Sequence, residues 1–440
     1  MKIRFLFLSI FIMFLFGSSN AQVVYDLTDC IRTGLEKNFS LLVTKNDEAI
    51  SKNNFTPGNA GYLPTLDLTA KQIGVLNDSR QRNTDGTQLI SNNVFSTTSY
   101  GSVSLGWNIF NGFSVQTTYK KLNELKQIGE LNTQMTVENL IANIISGYYN
   151  CIQQEQMLKN KRYAVALSRE RLRIDEDRYL LGSGSKLQVL QSRVYFNSDS
   201  SSLAMQIEVV RAAKISLNEL MAVDNLGELF ISKDTSILLN PELLYEKLLD
   251  ETMAKNTSLL IASKNKTISE YDYKLIKSRS YPYMNLSSGY NYNYYTYSAG
   301  IEKNLVTDGM NYGVTVGVNI FDGMNQRRSI RNSSIDVKNK ELKYNEIQQG
   351  VKADLITIYG AYSNYLRLIS LEEQNLQTAT ENLDIAMERY KLGSLSGIDL
   401  REVQKSLLDA KESLLSVEYQ AKLAEISLML ISGKIMDYYK

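Results

Sequence analysis

Residues 103–112 read Val-Ser-Leu-Gly-Trp-Asn-Ile-Phe-Asn-Gly, and residues 314–323 read Val-Thr-Val-Gly-Val-Asn-Ile-Phe-Asp-Gly. Alternation at period two puts Val103, Leu105, Trp107 and Ile109 on one face of a strand and Ser104, Gly106 and Asn108 on the other. The second stretch repeats this with Val314, Val316, Val318 and Ile320 against Thr315, Gly317 and Asn319. Each has a partner strand upstream. Leu66, Leu68 and Ala70 alternate with Thr65, Asp67, Thr69 and Lys71, and Met284, Leu286, Tyr290, Tyr292 and Tyr294 alternate with Asn285, Ser287, Asn291 and Asn293. A sandwich sheet would show the same alternation. Three features favour a lipid-facing barrel: a polar face of Asn, Ser and Gly, strands of about ten residues, which suit a tilted crossing, and Trp107, Tyr290, Tyr292 and Tyr294 placed as membrane-interface aromatics. Four strands cannot close a barrel and open edges are not tolerated in lipid, so the chain must oligomerise; a trimer supplies 4 × 3 = 12 strands.

Working outward, the chain is written twice. Lys37-Asn38-Phe39-Ser40-Leu41-Leu42 returns as Lys255-Asn256-Thr257-Ser258-Leu259-Leu260, a shift of 218 (256 − 38), and Pro64 returns as Pro282 at the same shift. Asn108 to Gly112 returns as Asn319 to Gly323, a shift of 211 (319 − 108), and Arg178-Tyr179-Leu180-Leu181-Gly182-Ser183 returns as Arg389-Tyr390-Lys391-Leu392-Gly393-Ser394 at that shift. Four anchors in one order are a tandem duplication. The expected plan is a first repeat over 22–223, an inter-repeat equatorial segment over 224–240 and a second repeat over 241–440. Each repeat runs from a helix (about 25–58 and 241–279) to two strands (about 62–76 and 100–112, then 282–297 and 310–323). A long helix follows (about 113–181 and 324–392), then a Gly/Ser break and a last helix. Segments 77–98 and 298–309 read as extracellular loops. The long helices carry apolar residues at three- and four-residue steps, for example Ile347, Val351, Leu355, Ile358 and Tyr362, and extend on the order of 100 Å. The fold expected is mainly α with a small β part.

Composition removes most alternatives. The 440 residues hold 48 Lys+Arg against 47 Asp+Glu, so there is no electrostatic case for a nucleic-acid partner. There is no histidine, which excludes His–metal sites and Ser–His or Cys–His catalysis, and no Gly-x4-Gly-Lys-Ser/Thr loop exists to bind a nucleotide. No cofactor, metal site or catalytic residue is expected, and the reading is not an enzyme. Four prolines leave long helices possible nearly everywhere. Cys30 and Cys151 match no zinc pattern; they could pair in an oxidising compartment, although Cys151 lies on a stripe with Val137, Ile141, Ile144 and Tyr148 that suits a buried thiol. Lys2 and Arg4 precede the apolar run Phe5–Phe16, and Ser19-Asn20-Ala21 offers a cleavage site, so residues 1–21 read as a signal peptide.

The duplicated helix–strand–strand–helix plan, the Asn-Ile-Phe-Asn/Asp-Gly strand ends and the Arg-Tyr-x-Leu-Gly-Ser turns resemble the TolC-like outer membrane factor family over essentially the whole mature chain. The stretch Gly393 to Leu408 is particularly similar to the family's tip region. The resemblance implies a homotrimer with a 12-stranded barrel in the outer membrane, continued by a long α-helical barrel in the periplasm. It further implies a periplasmic adaptor (membrane fusion) protein and an inner-membrane transporter as partners. The chain would be the exit duct of a tripartite efflux pump or type I secretion system. At the tip the resemblance points to Asp399 and Glu402 as acidic constriction residues and to Tyr390 as a tyrosine that holds the tip closed. Its acidic partner in the family falls at Gln188, and a family arginine falls at Leu395, leaving packing of Leu395 or other hydrogen bonds to close this tip. The turns Gly182-Ser183-Gly184 and Gly393-Ser394-Leu395 would meet the adaptor. A periplasmic coiled-coil adaptor is the rival reading.

Overall fold

The computed structural model describes residues 24–299 and 302–438; the expected signal peptide lies outside them. The first copy comprises β1 (Val24–Tyr25), α1 (Leu27–Lys37), α2 (Phe39–Asn54), the short α3 (Pro57–Ala60), β2 (Thr65–Arg82), β3 (Gln88–Asn111), α4 (Ser114–Leu180) and α5 (Lys186–Met221). After β4 (Ile231–Ser232), the second copy runs α6 (Tyr245–Lys255), α7 (Thr257–Ser278), β5 (Tyr283–Tyr297), β6 (Asn304–Gly317), α8 (Asn325–Lys391) and α9 (Gly397–Ile431). A 3-10 turn over Ile435–Tyr438 closes the described chain. α4 and α8 are each 67 residues long.

Two compact units form. One joins Asn46–Asn132 with Leu260–Ile347; the other holds the described residues through Lys45, Thr133–Leu259 and Gln348 onward. The first is built on an antiparallel sheet of order β2-β3-β5-β6, in which β3 and β5 pair one copy with the other from Ser96↔Tyr297 to Asn111↔Tyr283. The strands overturn the expected loops. β2 and β3 continue to Arg82↔Gln88, leaving a five-residue turn in place of 77–98, and β6 begins at Asn304 inside 298–309. Segment 77–98 is rich in Thr, Ser and Asn, and the backbone pairing that extends the strands does not depend on side-chain type. At its other end β6 stops at Gly317, short of 323, because residues beyond it have no neighbouring strand within the protomer, whereas the matching Phe110 and Asn111 pair with Met284 and Tyr283.

The strand-to-helix junction explains the duplicated Asn-Ile-Phe-x-Gly motif. Gly112 and Phe113 have φ of 55° and 66°, and Gly323 and Met324 have 70° and 66°. Two successive left-handed residues turn the chain from strand into helix, and glycine takes the first without a Cβ penalty. In the same unit Lys264 pairs with Glu124 at 2.8 Å and Lys266 with Glu341 at 2.9 Å.

The other unit is helical. Its main core gathers Ile31, Ile141, Ile144, Tyr148, Leu217 and Phe230, with Cys30 and Cys151 among them. Both cysteines are free and fully buried. Burial pushes each thiol up to about 12, so both stay protonated and unreactive at neutral pH. The inter-repeat segment is fastened to this core. β4 pairs in parallel with β1, Asn218 Nδ2 donates to the carbonyls of Leu226 and Glu228 at 3.0 and 2.9 Å, and Glu425 accepts from the Asn240 N–H at 3.0 Å.

The helices expected over 25–58 and 241–279 are each broken, at Asn38 and at Asn256. Asn38 Oδ1 accepts from Leu41 N–H at 3.1 Å while its Nδ2 donates to the Leu220 carbonyl at 3.0 Å. Asn256 does the same with Leu259 N–H (3.1 Å) and the Ile431 carbonyl (2.9 Å). One amide therefore starts a helix and satisfies a carbonyl at the end of that copy's last helix, which is why Lys-Asn-x-Ser-Leu-Leu occurs twice. Asn256→Ala is expected to cost about 1–2 kcal/mol through the lost cap and the orphaned carbonyl. Asn256→Asp should recover only the accepting half, with thermal unfolding of the purified protein as the readout.

Candidate channel and periplasmic gate

Register carries the period-two pattern across all four strands. Leu68, Val103, Tyr290 and Met310 lie in one row, and Leu66, Leu105, Ser288 and Tyr312 in another. The resulting apolar face is open in the protomer: Leu68 is 81% exposed, Tyr312 84% and Val314 63%. Trp107, Tyr290, Tyr292 and Tyr294 all belong to it. Trp107 Nε1 donates to the Tyr62 carbonyl at 2.9 Å, and Tyr290 Oη donates to Asp308 Oδ2 at 2.6 Å. The opposite face is polar, and most of its groups are neutral. Tyr100 Oη donates to Asn291 Oδ1 at 3.0 Å, Asn291 Nδ2 to Asn311 Oδ1 at 3.0 Å and Asn293 Nδ2 to Thr307 Oγ1 at 3.3 Å. One face suits hydrocarbon and the other water, and the two outer strands are left unpaired.

In the helical unit, the Gly/Ser breaks are stop-and-start turns. Ser183 N–H donates to the Arg178 carbonyl and Gly182 N–H to that of Tyr179, at 2.9 and 3.1 Å; Ser394 and Gly393 repeat this with Arg389 and Tyr390, both at 2.9 Å. Gly182 and Gly393 have φ of 75° and 80°, the left-handed end of a Schellman stop. Ser185 and Ser396 then cap the next helices by accepting from Gln188 N–H (3.3 Å) and Asp399 N–H (3.1 Å). Gln188 returns the bond to Ser185 N–H at 2.9 Å, completing a capping box. Asp399 sits in the first turn of α9 and accepts from Ser396 Oγ at 2.7 Å, where the helix dipole favours its charge. Glu402 is one turn on and exposed. Gly184 and Leu395 complete the two turns. Leu395 packs against the small core that holds Leu383, Ala386, Tyr390, Leu400 and Leu407.

Among the described residues Gln188 makes no hydrogen bond to Tyr390, and its side chain is bonded to the Ser185 cap. The acidic partner is Asp175 of α4: Tyr390 Oη donates to Asp175 Oδ1, and Ser192 Oγ of α5 donates to Oδ2. Arg171 stands 3.9 Å from the same carboxylate. Tyr390, Asp175 and Arg171 are 2–3% exposed. Burial first, then the bond to Asp175, pushes the Tyr390 phenol up to about 12, so it is a neutral donor throughout the physiological range. The Arg178 guanidinium lies 4.7 Å over the Tyr390 ring and donates to its carbonyl. Alongside, Arg401 of α9 forms a two-pronged pair with Asp199 of α5 at 2.8 Å, and Tyr195 carries Arg171 and Arg401 each 5.0 Å from its ring. Polar contacts thus bind α4, α5, α8 and α9 at their turns. The lock occurs once: at the 211-residue shift Asp175 faces Ala386 and Ser192 faces Val403, and Tyr179, the mate of Tyr390, is 47% exposed.

The sequence model of the family described as outer membrane efflux protein matches residues 31–224 and 248–434. The chain belongs to the outer membrane efflux protein family. A comparison with curated proteins finds no significant match. Solved structures share the fold at low identity. A membrane protein from Pseudomonas aeruginosa matches with a TM-score of 0.78 at 15% identity, covering 93% of this chain and 91% of that one. The CmeC outer membrane channel of Campylobacter jejuni matches at 0.77 and 14%, covering 93% and 85%. The outer membrane protein VceC of Vibrio cholerae matches at 0.75 and 15%, covering 92% and 96%.

Membership makes the protein an outer membrane efflux channel with its helical part in the periplasm, TolC-like and homotrimeric, with 4 × 3 = 12 strands in the barrel. The rival reading as a periplasmic adaptor is thereby set aside. For a barrel in lipid, the apolar face is the outer surface and the Asn-rich face lines the lumen.

Proposed function

We propose that this efflux channel is the exit duct of a tripartite efflux pump or type I secretion system. It would be gated at its helical turns and would pass substrate outward without catalysing a reaction. The observation that carries the reading is the buried lock of Tyr390 on Asp175 beside turns that other proteins can reach. Closure by a few discrete bonds gives a partner something to release, and opening is then a population shift of the tip helices. A periplasmic adaptor and an inner-membrane transporter would supply that bias and the energy, meeting the turns Gly182-Ser183-Gly184 and Gly393-Ser394-Leu395. Leu181 and Leu392 beside those turns are 83% and 82% exposed, which supports a contact there. Trp107, Tyr290, Tyr292 and Tyr294 would mark the membrane interfaces.

Asp399 and Glu402 lie one turn apart on the exposed side of α9, so three chains would bring six carboxylates to the entrance. Rings of that charge attract cations and repel anions. Single-channel current from the purified protein in a planar bilayer tests both parts. Small, cation-selective steps are expected. The double change Asp399→Ala with Glu402→Ala should reduce the cation preference toward that of free solution; an unchanged reversal potential would remove these residues from the entrance.

A further inference from the structure

The same strand-to-helix junction occurs in both copies, but its chemistry differs. In the first copy it encloses a cavity of about 210 Å³ with Trp107, Tyr62 and Gln116 in its wall and no cation. In the second the cavity is about 470 Å³, with Arg279, Ser280, Asn319, Asn325 and Arg327 in its wall. Arg328 and Arg331 follow on the first turns of α8. Among the described residues of the protomer none of these four guanidinium groups has an ion pair, side-chain hydrogen bond or ring contact, and all four are exposed in the single chain. Asp322, the carboxylate in this wall, is turned to the helix start, accepting from Gln326 N–H at 2.7 Å. The matching positions of the first copy are Gly61, Gln116, Thr117 and Lys120, so three of the four cations belong to the second copy alone.

The depth of this cluster is set by the apolar face of β6. Met310, Tyr312, Val314 and Val316 share that face, and the same parity continues through Val318 to Ile320, which is 92% exposed. Phe321 and Met324, 72% and 53% exposed, prolong the apolar surface into the cavity wall, where Arg279 and Arg327 stand beside it. Unpaired cations at the edge of an apolar band meet lipid phosphates, with their aliphatic stems lying along the hydrocarbon border. We propose that Arg279 and Arg327, reinforced by Arg328 and Arg331, form a docking site for the phosphate headgroup of an anionic phospholipid in the periplasmic leaflet. The first copy meets the same border with aromatic rings, so one protomer holds the membrane by two different chemistries. The inference rests on the outer-membrane location and not on the gate.

The test is electron spin resonance of the trimer in phosphatidylcholine vesicles, comparing spin-labelled phosphatidylglycerol with spin-labelled phosphatidylcholine in the motionally restricted fraction. The wild type should prefer phosphatidylglycerol, and high salt should abolish the preference. Arg279→Gln with Arg327→Gln should lower it by about fivefold per arginine replaced, while Arg279→Lys with Arg327→Lys should keep most of it. No preference in the wild type, or an equal one in the glutamine variant, overturns the proposal. If the glutamine variant loses its trimer, the lysine variant decides. A lysine trimer that retains the preference supports the site. Loss of the lysine trimer shows that the arginines hold protein instead of lipid, and overturns it.

Discussion

Asp175→Ala is expected to raise the single-channel conductance of the purified channel more than any other change at the tip. Asp175 is the point where three helices meet, accepting from Tyr390 of α8 and Ser192 of α5 while standing beside Arg171 on its own helix. Arg171 is 3% exposed, so removing the carboxylate leaves a buried cation without its counter-charge, at a cost of about 3–5 kcal/mol to the locked state. Tyr390→Phe removes one hydrogen bond to a charged acceptor, about 1.5–3 kcal/mol, and should open the tip less. Ser192→Ala should do least. The ordering separates a lock from a general loss of stability, since all three variants should still yield trimers. Conductance equal to wild type in all three would mean that the resting closure lies elsewhere. The pH dependence has a definite sign. The Tyr390 phenol is raised from its ordinary value near 10 to about 12, so its protonated form is favoured in the locked state. The contribution is complete below pH 10 and is lost as pH rises toward 12. Between pH 6 and 9 this bond contributes no change in conductance.

Gly112→Ala should prevent accumulation of trimer, whereas Gly323→Ala should only weaken it. A Cβ at Gly112 would lie 2.3 Å from the Ser278 carbonyl oxygen and 2.9 Å from Tyr281 Cβ, and the residue has φ of 55°. The obstacle is backbone at the end of α7, which cannot swing aside as a side-chain tip would. Overpacking of about 1–3 kcal/mol adds to about 1–2 kcal/mol for the left-handed conformation. At Gly323 the φ of 70° carries the same conformational cost, but the nearest neighbour is an Asn325 side-chain atom at 3.7 Å. Heat-resistant trimer in outer-membrane fractions reads both variants side by side. Equal yields would show that the close approach at Gly112 relaxes cheaply.

The architecture was legible because two periodicities and one duplication are all carried in the order of residues. The alternation through Val103–Ile109 and the apolar steps from Ile347 to Tyr362 each report a local geometry, and the repeated motifs report where elements end. The breaks at Asn38 and Asn256 were written in the sequence, but an asparagine within a helical run has many meanings until the carbonyl it reaches is known. The proposed gate was legible by half. Tyr390 stands out through its repeated turn, but Asp175 sits among Glu170, Glu176 and Asp177 on a helix where any of them reads as a solvated carboxylate. Only the partner helix distinguishes them. A signal did exist in the comparison of copies, since Asp175 against Ala386 and Ser192 against Val403 mark where the duplicates ceased to be interchangeable. Gln188 has a local claim on its side chain, since the capping role of a residue three positions after a serine competes with contacts across helices.

Asn38 reaches Leu220 and Asn256 reaches Ile431, so each asparagine ties the beginning of its own copy to that copy's end. Neither crosses to the other duplicate. Each copy is therefore closed on itself within the helical unit, and three chains contribute six such closures. Six equivalent closures arise from three chains because each chain carries the motif twice. The Tyr390–Asp175 bond, which has no counterpart at the exposed Tyr179, is one place where the two copies differ.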